Sequence, residues 1–301
     1  MKQNKMSDLY IEDFHVKFNM ACEYIQQEDY EQAINLLTAL YNQYGAIWRR
    51  EKRELIICEF MIAQLYEKTN ESNMAASYFE SCYNKIRNND LENEQFPVDI
   101  QMSYALFLLR QKNNTAVISV LEELRFFLDY EKEDEKPYYL STIDLLVSVY
   151  SIENEHRKSA ELANELIELL MEEHTQKHGN ILTRDNLDFD ALILDKLISL
   201  HLGAGASYAR LGDYHAAKKY LEMGYFLAFY SYGEQDERTL KLNYNLAANE
   251  AVGENLQEGL RQLHFVYEDM VKYLGNDNQY TKMTRKVMGE LEEGLEEKMQ
   301  K

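Results

Sequence analysis

Apolar residues recur every three or four positions along almost the whole chain, in stretches separated by short polar turns. Phe18, Ala21 and Tyr24 are followed by Glu28-Asp29-Tyr30-Glu31-Gln32, and then by Ala33, Leu36, Leu37 and Leu40. That spacing predicts two amphipathic helices joined by a tight turn. Asp29 is placed to cap the second helix, with Gln32 three residues on. The same cadence returns with Phe60, Ala63, Tyr66, Ala75 and Phe79, and again with Met102, Ala105, Leu108, Val117 and Leu121.

The recurrence has a fixed period. Ala21, Ala63, Ala105 and Val147 are 42 residues apart, as are Gly205, Ala247 and Gly289. A second ladder runs 12 residues behind the first: Ala33, Ala75, Val117, Ser159, Ala217 and Gly259. Between Val147 and Gly205 the step is 58, one period plus an insertion of 16. Two helices joined by a turn this short cross closely. The crossing point admits only small side chains, so the ladders mark the contacts within hairpins. The expected fold is all-α: a right-handed superhelical solenoid of about six hairpins, with units near residues 11–50, 53–92, 97–134, 139–176, 192–232 and 238–274. A capping helix at 281–298 carries Gly289 in phase, and the insertion falls at 172–189. Such a chain is one continuous stack of units.

The segment Leu211-Gly212-Asp213-Tyr214-His215-Ala216-Ala217 matches the turn and second-helix start of a tetratricopeptide repeat almost residue for residue. Residues 28–33 do so nearly as well. The chain resembles that family over roughly residues 14–295. Its period exceeds the family's common one of about 34 and is similar to the kinesin-light-chain type. The run Tyr232-Gly233-Glu234-Gln235-Asp236-Glu237-Arg238-Thr239 and its echo at 274–281 fit that type as well. The third and fourth units lack the Gly-Asp turn. More distantly, the repeats resemble those of bacterial peptide-sensing regulators of the Rap kind. Those families carry an N-terminal output module, and fewer than 15 residues precede the first repeat here. The resemblance implies a non-enzymatic scaffold that holds a peptide or protein segment in a concave groove. The alternatives are a signalling-peptide sensor without its own output domain and a homo-oligomeric assembly adaptor.

Composition agrees with helix throughout: the chain has 12 Gly and 2 Pro, and both prolines stand near predicted helix starts. The formal net charge is −20, from 52 acids and 32 bases. A chain of that sign repels phosphate backbones, so nucleic acid is not an expected partner. The acidic runs at 129–135 and 290–297 read as solvated helix faces and a frayed end. No apolar run reaches membrane-spanning length, and the N-terminus has no secretory pattern. The three cysteines, Cys22, Cys58 and Cys82, read as free thiols on helices, so the expected location is cytoplasmic.

No catalytic motif with credible spacing occurs, and neither cofactor nor metal is expected. His174 and His178 have ligand spacing without an obvious third ligand, and read as exposed loop histidines. The groove, lined by the first helix of each unit, is the place for ligand contacts. Residues at groove-facing phase include Asn19, Gln26, Gln64, Lys68, Arg110, Arg210 and Asn245. Lys68, Arg110 and Arg210 share one register and suit the carboxylates of an acidic peptide or protein segment. Asn19 and Asn245 stand two residues before a small-ladder position, where an amide can hold a peptide backbone. Met61, Ser103, Leu145 and Gly203 occupy that place elsewhere, so the pattern is incomplete.

Overall fold

The computed structural model describes residues 2–48, 52–88, 95–179 and 182–299. The helices run α1 (Lys2–Gln26), α2 (Tyr30–Gly45), α3 (Arg53–Lys68), α4 (Ser72–Asn88), α5 (Gln95–Arg110), α6 (Asn114–Phe127) and α7 (Lys136–Ile152). They continue with α8 (His156–His178), α9 (Ala191–Arg210), α10 (Tyr214–Tyr232), α11 (Glu237–Gly253), α12 (Leu256–Tyr273) and α13 (Gln279–Met299). No strand occurs among the described residues, and none of the described helices is long and apolar enough to cross a membrane. Successive pairs, from α1/α2 to α11/α12, form six hairpins, and the architecture is an all-α helical repeat. Pro97 lies in the first turn of α5, which starts at Gln95, three residues before the Val98 start that the sequence predicts.

The turns repeat as faithfully as the helices. Glu28, Asn70, Lys112 and Asn154 each adopt a left-handed conformation, with φ of 60°, 62°, 59° and 61°. Gly212 holds the same register in the fifth hairpin at φ 79°. In the first turn Glu28 N–H donates to the Ile25 carbonyl and Asp29 N–H to that of Tyr24, closing the preceding helix in a Schellman motif. The following residue caps the next helix. Asp29, Asn113, Asp213 and Asn255 accept from the backbone N–H of Gln32, Ala116, Ala216 and Glu258 respectively. The third and fourth turns therefore keep the motif without glycine. A non-glycine residue there costs about 1–2 kcal/mol of backbone strain.

The small ladders lie at the crossings. Ala21, Ala33, Ala63 and Ala75 are fully buried, and Ser159 donates to the carbonyl of its ladder partner Val147 at 3.0 Å. A Cβ at Gly205 would stand 2.6 Å from Leu221 Cγ and 3.2 Å from the Ala217 carbonyl. At Gly259 it would stand 2.2 Å from the backbone nitrogen of Ala251. Gly289 departs from the pattern, since a Cβ there meets nothing within 4 Å. Its place in the ladder reflects phase alone, with no crossing helix packed on it.

Contacts divide the chain into two compact units, Met1–Tyr139 and Leu140–Lys301. The division falls inside α7 and not at the 172–189 insertion. In the first unit, each helix from α1 to α6 packs on the next, and Phe14, Leu37, Leu40, Tyr44, Leu55 and Ile62 form the core of α1 to α3. In the second, the sequence from α8 to α13 packs the same way, and α9 also touches α11. That last contact brings the first helices of two successive hairpins side by side.

The insertion is partly a lengthened helix, since α8 continues to His178. A short 3₁₀ turn at Arg184–Asn186 then leads into α9. His174 is buried on α8, which corrects its reading as an exposed loop residue. Its Nε2 lies 2.6 Å from the Asn186 carbonyl and its ring stacks on Phe189 at 4.3 Å. Lys177 pairs with Asp188 at 2.6 Å. Together these contacts fold the chain after α8 back onto that helix.

Candidate functional site

The side-by-side placement of α9 and α11 leaves a partly open cavity of about 220 Å³ in the second unit. Ala206, Ala209 and Arg210 line it from α9, and Asn245, Ala248, Asn249 and Val252 from α11. Tyr214 and Leu221 of α10 form its floor. The space exists because the side chains around it are short. The register that holds Ala206 and Ala209 here holds Leu106 and Leu109 in α5. Gly205, at the crossing below, brings α9 down onto Leu221.

Two of the groove residues read from the sequence meet in this cavity, Arg210 and Asn245. Arg210 is exposed and makes no ion pair with a described residue. An unpaired guanidinium offers a planar fork of donors suited to a carboxylate. Asn245 is half-buried and its Nδ2 donates to the Lys241 carbonyl at 2.8 Å, one turn back on its own helix. That bond fixes the amide and leaves Oδ1 as the available acceptor.

The other five lie on the first unit. Asn19 and Gln26 are exposed on α1, and Gln64 and Lys68 on α3. The Lys68 ammonium sits 5.4 Å from the centre of the Tyr30 ring. Arg110 differs from its register partner: its guanidinium bonds Glu67 Oε1 at 2.6 Å, tying α5 to α3. It neutralises the Glu67 carboxylate. More than half of the Arg110 side chain is exposed, so the pair contributes at most about 1 kcal/mol to stability.

Asn249 and His201 were not singled out in the sequence. Asn249 is 5% exposed and its Nδ2 donates to the Tyr214 carbonyl at 3.0 Å, while its Oδ1 has no partner. His201, buried on α9 one turn before Gly205, has both ring nitrogens unpartnered. Burial pushes its imidazole down to about 4. The signal available for both was a polar residue on the apolar stripe of a helix. Tyr220, whose ring lies 5.9 Å from His201, is pushed up to about 12 by burial.

No group of three or more His, Cys, Asp or Glu side chains among the described residues is arranged to hold a metal ion. Cys58 and Cys82 are buried free thiols and Cys22 is a half-buried one. Burial pushes the Cys58 thiol up to about 12.

No protein-family model matches the chain, and no curated protein matches its sequence. Solved structures do resemble it. The apo form of RapI aligns over 93% of this chain and 99% of its own, at 13% identity and a TM-score of 0.50. BtubC from P. vanneervenii covers 78% of this chain and 82% of its own, at 12% identity and a TM-score of 0.48. A tetratricopeptide repeat protein from Parabacteroides merdae covers 92% and 99%, at 12% identity and a TM-score of 0.43. At these identities the likeness is one of fold.

Proposed function

We propose that the chain, which carries the helical-repeat fold of tetratricopeptide proteins, is a non-enzymatic scaffold that holds a peptide segment of a partner on the first-helix face of its hairpins. The observation that carries this reading is the cavity between α9 and α11. It places an unpaired guanidinium and a fixed amide beside a small apolar floor. Ligand sites have that make-up: apolar walls with few, well-placed polar groups. Arg210 would take a carboxylate, Asn245 a backbone N–H, and Ala206, Ala209, Ala248 and Val252 an aliphatic group. The segment is therefore acidic, in keeping with the sign of Arg210 rather than with the acidic surface of the whole chain.

A peptide library screened against the full chain tests this. Enrichment of Asp and Glu is expected among the peptides that bind. Measured by fluorescence polarisation, Arg210→Gln should weaken a selected peptide about tenfold or more, the worth of a charged hydrogen bond. Ala209→Leu should abolish binding by filling the cavity, with the melting temperature held. Unchanged affinity in both variants would place the site elsewhere.

A further inference from the structure

The large apolar side chain most exposed among the described residues is Phe126, at 83%, and Phe127 beside it is 48% exposed. Their rings meet edge to face at 5.4 Å at the end of α6. The helix buries Val117, Val120, Leu121 and Leu124, so its apolar stripe is already used on the core. Phe126 stands on the side of the helix away from that stripe, and Phe127 at its edge. Packing does not account for the Phe126 ring and covers only half of Phe127, and an exposed aromatic pair on a polar surface marks a contact site.

The chain just beyond the pair is held in shape. Asp129 N–H donates to Glu135 Oε2 at 2.7 Å, and Glu131 N–H to Asp129 Oδ1 at 3.1 Å. Lys132 pairs with Glu135 at 2.9 Å, which cancels the one basic charge in the run 129–135. Glu131, Glu133 and Asp134 are left exposed on this turn, which begins two residues after Phe127. The run that reads in the sequence as a plain solvated face is thus a fixed acidic turn that borders the aromatic pair in the chain.

We propose that Phe126 and Phe127, bordered by Glu131, Glu133 and Asp134, form a docking surface for a basic amphipathic helix of a partner protein. The rings seat the apolar side chains of that helix. A Lys or Arg beside them lies over the Phe126 face as a cation–π contact while its charge meets the border carboxylates. The sign of the border selects this occupant. It repels an anionic membrane surface and nucleic acid phosphates. It equally repels a second copy of the same patch, on a chain whose formal net charge is −20.

A labelled synthetic helix of leucine and lysine, titrated into the full chain and followed by fluorescence anisotropy, tests the surface. The matching leucine–glutamate helix serves as its opposite. Binding of the basic helix alone is expected. The double variant Phe126→Ser/Phe127→Ser should weaken it about tenfold, as truncation of aromatic anchors does. Glu131→Lys/Glu133→Lys should do the same. Glu290→Lys/Glu293→Lys, equal in charge but on α13, should leave it within about twofold, with circular dichroism confirming the fold of each variant. Equal loss in the α13 variant, or none in the phenylalanine variant, would reduce the binding to diffuse charge and overturn the proposal. So would a fall in sedimentation mass on removing the two rings, which would mark the patch as a contact between copies.

Discussion

The third and fifth hairpins, α5/α6 and α9/α10, stand 100 residues apart and match position by position. Gln101 answers to His201, Ala105 to Gly205, Leu106 and Leu109 to Ala206 and Ala209, Arg110 to Arg210, and Lys112 to Gly212. The backbone plan is the same. The third hairpin spends its variable positions on itself: two leucines occupy its first-helix face and its arginine is tied to Glu67. The fifth carries small residues at those places, and its arginine borders a cavity. One repeat architecture thus yields a hairpin with a filled first-helix face and one with a cavity beside it, and the difference rests on a few side-chain volumes.

Exchanging residues between the two hairpins sharpens that contrast, and acid should do so most strongly. His201 is neutral and buried, with its folded value near 4 against an ordinary 6.5. The unfolded chain takes up the proton first. Stability is therefore full above pH 6.5 and falls as the pH drops towards 4, by about 3 kcal/mol. Chemical denaturation at a series of pH values should show that slope, and His201→Gln, which copies the third hairpin, should remove most of it. A slope of undiminished size would mean that other groups carry the acid response.

Next in size is the crossing. Gly205→Ala puts a methyl 2.6 Å from Leu221 Cγ and should cost about 1–3 kcal/mol by overpacking. The converse change, Ala105→Gly, should cost about 1 kcal/mol through helix propensity alone. If thermal unfolding ranked the two in the opposite order, the fifth crossing would not be the tighter one.

The smallest effect lies in the turns. Lys112→Gly relieves a left-handed lysine and should stabilise by about 1 kcal/mol, while Gly212→Lys should lose a similar amount. Equal and opposite shifts in the denaturation midpoint would show that the two turns are interchangeable.

Much of this was legible in the chain. The ladders located the crossings because no large side chain fits where two helices touch, and Asp29 announced its cap by residue type. The third and fourth turns were faint for a physical reason: Lys112 and Asn154 adopt the left-handed conformation at a cost that sequence pattern does not display. Gly289 misled in the other direction, since phase predicts spacing but not what packs against it. The cavity was legible only in part. Arg210 and Asn245 were placed by register, whereas Asn249 was hidden on an otherwise apolar stripe.

By itself the sequence determined the helices, their pairing and the rhythm of their contacts, all of which depend on neighbours close along the chain. Tertiary structure decided which arginine is free. Arg110 and Arg210 are the same residue at the same phase, and only the approach of Glu67 to one of them separates their fates. Ion pairing and enclosed space arise between elements brought together by folding, and no local pattern encodes them.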